Sequence, residues 1–325
     1  MNRFSEKIFN IKSEEDFNKL CINLFDFQMR KNPIYSAYAK IILKAKSPKN
    51  INDIPFLPIE FFKKEQIICN GQKIKEIFLS SGTTGNQSKH LISDLEIYEK
   101  SFQKSFHQFY GNISEYCILS LLPNYREREG SSLIYMVDDL IKNSQHPKSG
   151  FYLNNYKGLS STLEELEKIG QKTILIGVSY ALLDLANQFP QNLEHTIIME
   201  TGGTKGERKV LIKEELHKIL KNAFSLKKIH SEYGMTELLS QSYSKGDNIF
   251  NSPPWKKILI RDVNDPLTII GNDKTGGMNI IDLANIYSCP FIATQDLGKT
   301  FTDGSFSVLG RFDNSDIRGC NLLIQ

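Results

Sequence analysis

The sequence predicts an α/β fold in which helices cover a largely parallel sheet. Apolar runs of strand length alternate with segments of helical periodicity over the first two-thirds of the chain. Beyond residue 237, short strand-like runs are instead separated by Gly, Asp and Pro. At 325 residues the chain exceeds the roughly 100–200 residues of one ordinary domain. We therefore expect an α/β core over residues 1–240, a β-rich subdomain over 241–312 and a short arm over 313–325.

The predicted elements follow one another closely. Residues 75–79 form a strand that runs into a loop. Ser93 and Glu96 have the spacing of a capping box, and apolar side chains then recur every three or four residues, as on one buried helix face. These side chains are Leu95, Tyr98, Phe102, Phe106 and Phe109. The other predicted strands are 116–122, 173–177, 196–200, 228–231, 258–261, 278–282 and 306–309; the other helices are 131–142, 161–169 (capped by Ser161 and Glu164), 180–187 and 210–224.

Composition excludes several classes of protein. Hydrophobic residues make up 40% of the chain and charged residues 24%, and a net charge of +3 is too small to indicate a nucleic-acid partner. No apolar run approaches the ~18 residues of a membrane span, and the N-terminus does not resemble a signal peptide. We expect a cytoplasmic protein. The five cysteines are widely spaced and form no CxxC pair, which argues against a disulfide framework or a structural zinc site.

A loop rich in Gly, Ser and Thr follows the first predicted strand. It reads Ser80, Ser81, Gly82, Thr83, Thr84, Gly85, and Lys89 lies shortly after it. Such a loop exposes backbone N–H groups and hydroxyls with little steric bulk, as binding of a triphosphate requires. The Walker A pattern would need a second glycine at position 87, which is Gln. A flexible turn after a strand remains the alternative.

A second polar segment, residues 231–237, again follows a predicted strand. Within it, the Thr236 hydroxyl can bond a phosphate, the Glu237 carboxylate can hold Mg²⁺, and the Tyr233 ring can cover a purine. A Thr-Glu pair is also a common way to begin a helix. The segment indicates a nucleotide site only in combination with the loop at 80–85.

Four motifs together resemble the adenylate-forming superfamily. They are SSGTTG at 80–85, YGMTE at 233–237, Gln295-Asp296, and Gly310-Arg311-Phe312-Asp313, in the order that the superfamily has them. The resemblance implies that the loop grips pyrophosphate, that Thr236 binds the α-phosphate and that Glu237 binds Mg²⁺. It further implies that Tyr233 and Gly234 lie near adenine, that Gly202 and Gly203 line the adenine and acyl pockets, and that Asp296 and Arg311 contact ribose. ATP and Mg²⁺ are thus the expected cofactors.

Within the superfamily, the chain is most similar to the acyl-protein synthetases of the bacterial bioluminescence fatty-acid reductase complex. The similarity lies in SSGTTGxxSKH, in GGTKG at 202–206 and near residue 320. It implies that a fatty acid is activated and then transferred to Cys320 as a thioester for delivery to a reductase or acyltransferase. Superfamily ligases continue with a lysine-bearing domain of on the order of 100 residues. We expect that domain to be missing or vestigial here.

Several alternatives stay open. The protein could instead be an acyl- or aryl-CoA ligase of the phenylacetate-CoA ligase type, or a non-catalytic nucleotide-binding subunit. Cys320 could be an apolar residue on a terminal strand, whereas the other four cysteines are expected in the core. His90 could orient a phosphate or be solvated. The alternating charges at 126–129 favour a self-neutralising exposed face, and a contact with a partner or substrate is the alternative.

Overall fold

The computed structural model describes residues 3–81, 87–123, 130–153, 155–202 and 212–312. The chain divides into two compact units. One unit is continuous, Lys73–Pro253, and the other combines Met1–Gln72 with Pro254–Gln325. The subdomain boundaries predicted at residues 240 and 312 rest on the element pattern alone and stay a prediction.

The N-terminal part of the discontinuous unit is helical. Its elements are α1 (Arg3–Ile8), α2 (Glu14–Lys31), α3 (Pro33–Leu43), β1 (Leu57–Pro58) and α4 (Phe61–Lys64). Ser13 caps α2, because its side chain accepts a hydrogen bond from the Asp16 N–H. Asn32 ends α2 and caps α3, whose first residue is Pro33. These helices were not predicted from the sequence pattern.

The continuous unit is the α/β core. Its strands are β2 (Glu76–Leu79), β3 (Lys89–Ile92), β4 (Cys117–Leu121), β5 (Gly150–Phe151), β6 (Thr173–Val178), β7 (Thr196–Thr201), β8 (His230–Tyr233), β9 (Ser242–Ser244) and β10 (Phe250–Asn251); its helices are α5 (Leu95–Tyr110), α6 (Ser132–Ser144), α7 (Tyr156–Lys168), α8 (Ser179–Gln188) and α9 (Lys213–Phe224). The strand order is β10-β9-β8-β7-β6-β4-β5, and β2 and β3 form a separate antiparallel hairpin. Strands β8, β7, β6, β4 and β5 are parallel, which confirms the predicted sheet. Leucines of α7, α8 and α9 pack on it.

Two predicted helix starts are wrong. Helix α5 begins at Leu95 with Asp94 in the cap position, so Ser93 is not its cap. Helix α7 begins at Tyr156, and Ser161 lies inside it. The physical reason is that Asn155 already caps α7, since its side chain accepts a hydrogen bond from the Gly158 N–H at 2.9 Å.

The predicted apolar face of α5 is largely confirmed. Tyr98, Phe102 and Phe106 are buried, whereas Leu95 and Phe109 are only partly buried. The rest of the buried face is formed by Ile97, Ser101, Ser105 and Tyr110.

The C-terminal part of the discontinuous unit is an antiparallel sheet. Its strands are β11 (Lys256–Arg261), β12 (Ile269–Ile270), β13 (Gly276–Asp282), β14 (Phe291–Thr300) and β15 (Phe306–Arg311). They lie in the order β12-β11-β13-β14-β15, and β1 pairs with β14 in parallel. The β-rich character predicted beyond residue 237 is confirmed. None of the helices in the described ranges is long and apolar enough to cross a membrane.

Candidate active site

The hairpin of β2 and β3 carries the predicted phosphate loop at its turn. The Ser80 N–H donates to the Ser88 carbonyl at 3.1 Å, and the Ser88 N–H donates to the Ser80 hydroxyl at 2.9 Å. The Gln87 side-chain amide donates to the Ser80 carbonyl at 2.8 Å. These three bonds hold the two ends of the loop together, so the loop starts and finishes at fixed points.

The structure describes the two ends of the loop but not its central residues. Gly82, Thr83, Thr84 and Gly85 lie outside the described residues, and their contact with a phosphate stays a prediction. Ser81 and Lys89, at the two ends of the loop, are exposed. Lys89 therefore keeps a solvent-accessible positive charge beside the position where an anion is expected.

Thr236 and Glu237 occupy the two central positions of a tight turn after β8. The turn is closed by the Leu238 N–H, which donates to the Met235 carbonyl at 3.1 Å. Thr236 is half-buried, whereas Glu237 is only 5% exposed. The two predicted catalytic side chains thus share one short, backbone-defined segment.

One contact joins this turn to the hairpin. Nδ1 of the buried His90, on β3, lies 2.8 Å from the Thr236 carbonyl oxygen. The sequence left the role of His90 open, and no spacing rule relates two residues 146 positions apart. The structure therefore brings Ser80, Lys89 and Thr236 into one region through a residue that was not assigned a role.

The carboxyl ends of β7 and β8 form the next part of the site. Because the two strands are parallel, Gly202 after β7 and Gly234 after β8 follow the same edge of the sheet. The Thr201 hydroxyl donates to a Glu232 carboxylate oxygen at 2.5 Å, which joins the strand ends. Gly202 has φ +74°, a left-handed conformation that favours glycine. Gly203 lies outside the described residues.

Close packing explains the glycine at position 234. A Cβ atom there would lie 2.5 Å from the other Glu232 carboxylate oxygen. Tyr233, beside it, packs edge to face on Phe250, with ring centroids 5.9 Å apart. The ring that is expected near adenine is thus held from one side by the protein.

A second carboxylate, Glu200, lies on the other face of the same strand ends. It accepts a hydrogen bond from the Ser231 hydroxyl at 2.9 Å and lies 3.2 Å from the Lys213 ammonium and 3.5 Å from His217 Nε2. Burial alone would raise the pKa of Glu200, but the contact with His217 and the charge of Lys213 outweigh it and hold that pKa below its usual value. Sequence reasoning missed this cluster and Glu232. Glu200 is the last residue of the predicted strand 196–200, and Glu232 directly follows the predicted strand 228–231.

The two residues predicted to contact ribose form a pair in the discontinuous unit. Asp296 on β14 and Arg311 on β15 are cross-strand partners. The Arg311 Nε–H donates to the Asp296 carboxylate at 3.0 Å. Asp296 is buried, and the Arg311 side chain is about half exposed at 49%. The structure brings this pair together, and its contact with ribose stays a prediction.

Four of the five cysteines are buried, as expected: Cys21, Cys69, Cys117 and Cys289. Burial raises the pKa of all four thiols, to about 12 for Cys69 and about 11 for Cys117. They are therefore poor thiolate nucleophiles at neutral pH. Cys320 lies outside the described residues.

The helix-covered parallel sheet and the antiparallel strands define the fold of the N-terminal domain of adenylate-forming enzymes. The ATP-bound MatB structure from Rhodopseudomonas palustris is similar, with a TM-score of 0.57 and 14% identity over 74% of this chain and 49% of MatB. O-succinylbenzoate coenzyme A synthetase (MenE) from Bacillus subtilis, in complex with ATP and magnesium, has a TM-score of 0.50 and 17% identity over 76% of this chain and 52% of MenE.

The amide bond synthetase McbA from Marinactinospora thermotolerans has a TM-score of 0.50 and 15% identity over 72% of this chain and 48% of McbA. All three neighbours are adenylate-forming enzymes, and this chain spans about half of their length. No family model and no curated protein matches the sequence. At such low identity, the likeness establishes the fold.

Proposed function

We propose that the protein uses ATP to activate a carboxylic acid as an acyl-adenylate. The observation that carries the proposal is the link between the loop hairpin and the Thr236–Glu237 turn within one compact unit. This link keeps a Gly/Ser/Thr-rich loop, an exposed lysine and a hydroxyl–carboxylate pair together on a fold that MatB and MenE use with ATP bound. Phosphate-binding groups and a metal-binding carboxylate are the parts that adenylation requires.

The residues fit ATP and Mg²⁺. Within the described ranges, no group of three or more His, Cys, Asp or Glu side chains could hold a metal ion. Mg²⁺ is commonly bound by one or two carboxylates together with substrate phosphates. Glu237 would be the protein ligand, and the ion would neutralise phosphate charge.

In the proposed first half-reaction, each of the predicted site residues has a role. The substrate carboxylate attacks the α-phosphorus, a new P–O bond forms, and the bond to the leaving pyrophosphate breaks. The Thr236 hydroxyl donates a hydrogen bond to the α-phosphate, while Lys89 and the loop N–H groups stabilise the departing pyrophosphate. Asp296 and Arg311 would orient the ribose, so that the phosphate chain stays in line with the attacking oxygen.

In the second half-reaction, we propose that the Cys320 thiolate attacks the acyl carbonyl. A thioester forms, and AMP leaves with the bonding electrons. The burial of the other four cysteines supports this choice of nucleophile. A fatty acid is the proposed substrate, and a reductase or acyltransferase the proposed acceptor of the acyl group. The main alternative acceptor is free coenzyme A, which the resemblance of the fold to MenE favours.

Carboxylate-dependent ATP–pyrophosphate exchange tests the first half-reaction. Glu237→Gln should reduce exchange by at least about 100-fold, because a neutral amide replaces the anionic ligand of Mg²⁺. Glu214→Gln, at an exposed position on α9, is the matched control and should exchange like the wild type. Full exchange by a folded Glu237→Gln protein would contradict the assignment of Glu237 as the Mg²⁺ ligand. If the wild type exchanged with no acid of a broad panel, the non-catalytic nucleotide-binding subunit would be the remaining alternative.

Protein-bound radiolabel from ATP and labelled fatty acid tests the second half-reaction. Cys320→Ser should keep pyrophosphate exchange but lose the label that neutral hydroxylamine releases, because a serine hydroxyl is a far weaker nucleophile. Cys117→Ser, at a buried site, should keep the label. Labile label on Cys320→Ser would show that another cysteine carries the acyl group. Turnover that depends on coenzyme A, without protein label, would identify the ligase alternative.

A further inference from the structure

We propose that His90 is a positioning residue that sets the Thr236–Glu237 turn relative to the phosphate loop. The inference rests on the proposed function, since it gives His90 a purpose only if Thr236 and the loop act on the same nucleotide. It gives a role to His90, which ends the SSGTTGxxSKH stretch but lies outside the four motifs that carry the proposed function.

The donor and the acceptor of the hydrogen bond between His90 and Thr236 can be assigned. His90 is fully buried on β3 and pairs with Phe78 across the hairpin. A carbonyl oxygen can only accept, so Nδ1 of His90 carries the proton and donates to the Thr236 carbonyl at 2.8 Å. When the ring is neutral, Nε2 is then the acceptor nitrogen.

The position of the accepting carbonyl matters. In a turn closed by its outer residues, here Met235 and Leu238, the carbonyls of the two central residues do not take part in the closing bond. The His90 bond therefore fixes the peptide plane between Thr236 and Glu237, and with it the directions of both side chains. Without it, the plane could rotate while the turn stayed closed.

Few residues separate His90 from the closed end of the phosphate loop. His90 is two residues after Ser88, whose backbone holds Ser80 at the closed end of the loop. From the loop to the turn, the connection is thus Ser80, Ser88, β3, His90 and the Thr236 carbonyl. Since a misplacement of about 1 Å can cost about 100-fold in rate, this link is placed to influence the chemical step.

A second buried contact provides a control. The hydroxyls of Ser101, on α5, and Ser240 are 3.0 Å apart, and both residues are fully buried. This bond ties the same chain segment to the core, four residues beyond Thr236. Ser101→Ala should lower stability without altering the peptide plane of the turn.

The decisive experiment compares His90→Asn with His90→Gln. The side-chain nitrogen of Asn can take the place of Nδ1, whereas that of Gln takes the place of Nε2. Both variants lose the buried ring, and both should unfold at a lower temperature. Pyrophosphate exchange at saturating substrate should fall about 10- to 100-fold in His90→Gln but remain within about threefold of wild type in His90→Asn. Ser101→Ala should retain the wild-type exchange rate.

Equal exchange rates in folded His90→Asn and His90→Gln would overturn the inference, as would rates that follow unfolding temperature in all three variants. A change confined to the apparent KM for ATP would overturn it too, because a misplaced turn should slow the chemical step. A wild type without exchange would overturn the proposed function and this inference together. An active wild type with indifferent His90 variants would overturn the inference alone.

Discussion

Two buried carboxylates lie on opposite faces of the sheet where β7 and β8 end. Glu200 is balanced by Lys213 and His217, whereas Glu232 accepts from Thr201 and lies on the side of buried tyrosines. Burial, together with the charge of Glu232, raises the pKa of Tyr98, Tyr110 and Tyr243. These tyrosines therefore remain neutral hydrogen-bonding groups, and both strand ends are fixed by polar contacts before any ligand binds.

At the same scale, Asp296→Asn should weaken ATP binding at least about tenfold. The amide can still accept from Arg311, so the fold should persist, but the charge-assisted bonds that we propose to ribose are lost, and each would be worth roughly 1.5–3 kcal/mol. The apparent KM for ATP in the exchange assay measures the effect. Asp303→Asn, an exposed aspartate in the same unit, is the control. An unchanged KM for Asp296→Asn would place the ribose elsewhere.

At the level of elements, the buried strands were predictable, whereas the starts of α5 and α7 and the N-terminal helices were not. Residues 173–177 and 196–200 are almost continuously apolar, the pattern of a parallel sheet covered on both faces. The buried face of α2 has regular helical spacing at Phe17, Leu20, Cys21, Leu24 and Phe25, and the polar Gln28 continues it. The spacing could not reveal that the buried Gln28 and Asn32 find partners in the folded chain, at Ile286 and Ser288.

The candidate site likewise contains residues that the sequence could predict and contacts that it could not. Motif residues such as Ser80, Thr236 and Asp296 could be selected because their chemistry is local and their order along the chain is informative. The Asp296–Arg311 pair and the His90 contact depend on strand register and on tertiary packing. Neither can be derived from spacing alone, since register is set by the whole hydrophobic pattern of a sheet.

The junction between β6 and α8 carries a prediction of its own. At Gly177 an added Cβ would lie 2.9 Å from the Leu121 Cβ and 3.1 Å from the Leu182 side chain. Gly177→Ala should therefore cost about 1–3 kcal/mol of unfolding free energy, because neither neighbour can move freely in the core. Gly150→Ala, on β5, is the matched control, since its nearest neighbour would be 3.8 Å away. Equal urea midpoints for the two variants would contradict this account of the packing.

At the level of the whole molecule, Asn32 joins distant parts of the discontinuous unit. Its amide donates to the Gln28 side chain and to the Ser288 carbonyl, both at 2.9 Å, and its oxygen accepts from the Tyr35 N–H. Asn32→Ala removes a helix cap and leaves a buried carbonyl without its donor. It should lower the unfolding free energy by about 2–4 kcal/mol.

Urea denaturation checks this prediction, with the exposed Asn10→Ala as the control that should change stability by no more than about 0.5 kcal/mol. If the two variants unfolded at the same urea concentration, the interior contacts of Asn32 would not stabilise the discontinuous unit.

The division of the chain also determines the order in which its two units can fold during translation. The unit Lys73–Pro253 is continuous, so all of its residues leave the ribosome in succession. Gln28 and Asn32, however, bond to residues more than 250 positions later. At about 5–20 residues per second, the N-terminal helices wait roughly 10–40 s while the intervening unit is translated. During that interval their apolar faces lack the part of their native cover that later residues provide, such as Phe291 against Tyr35. We expect the nascent N-terminal segment to be a client of chaperones that bind exposed hydrophobic helices, and the middle unit to fold first.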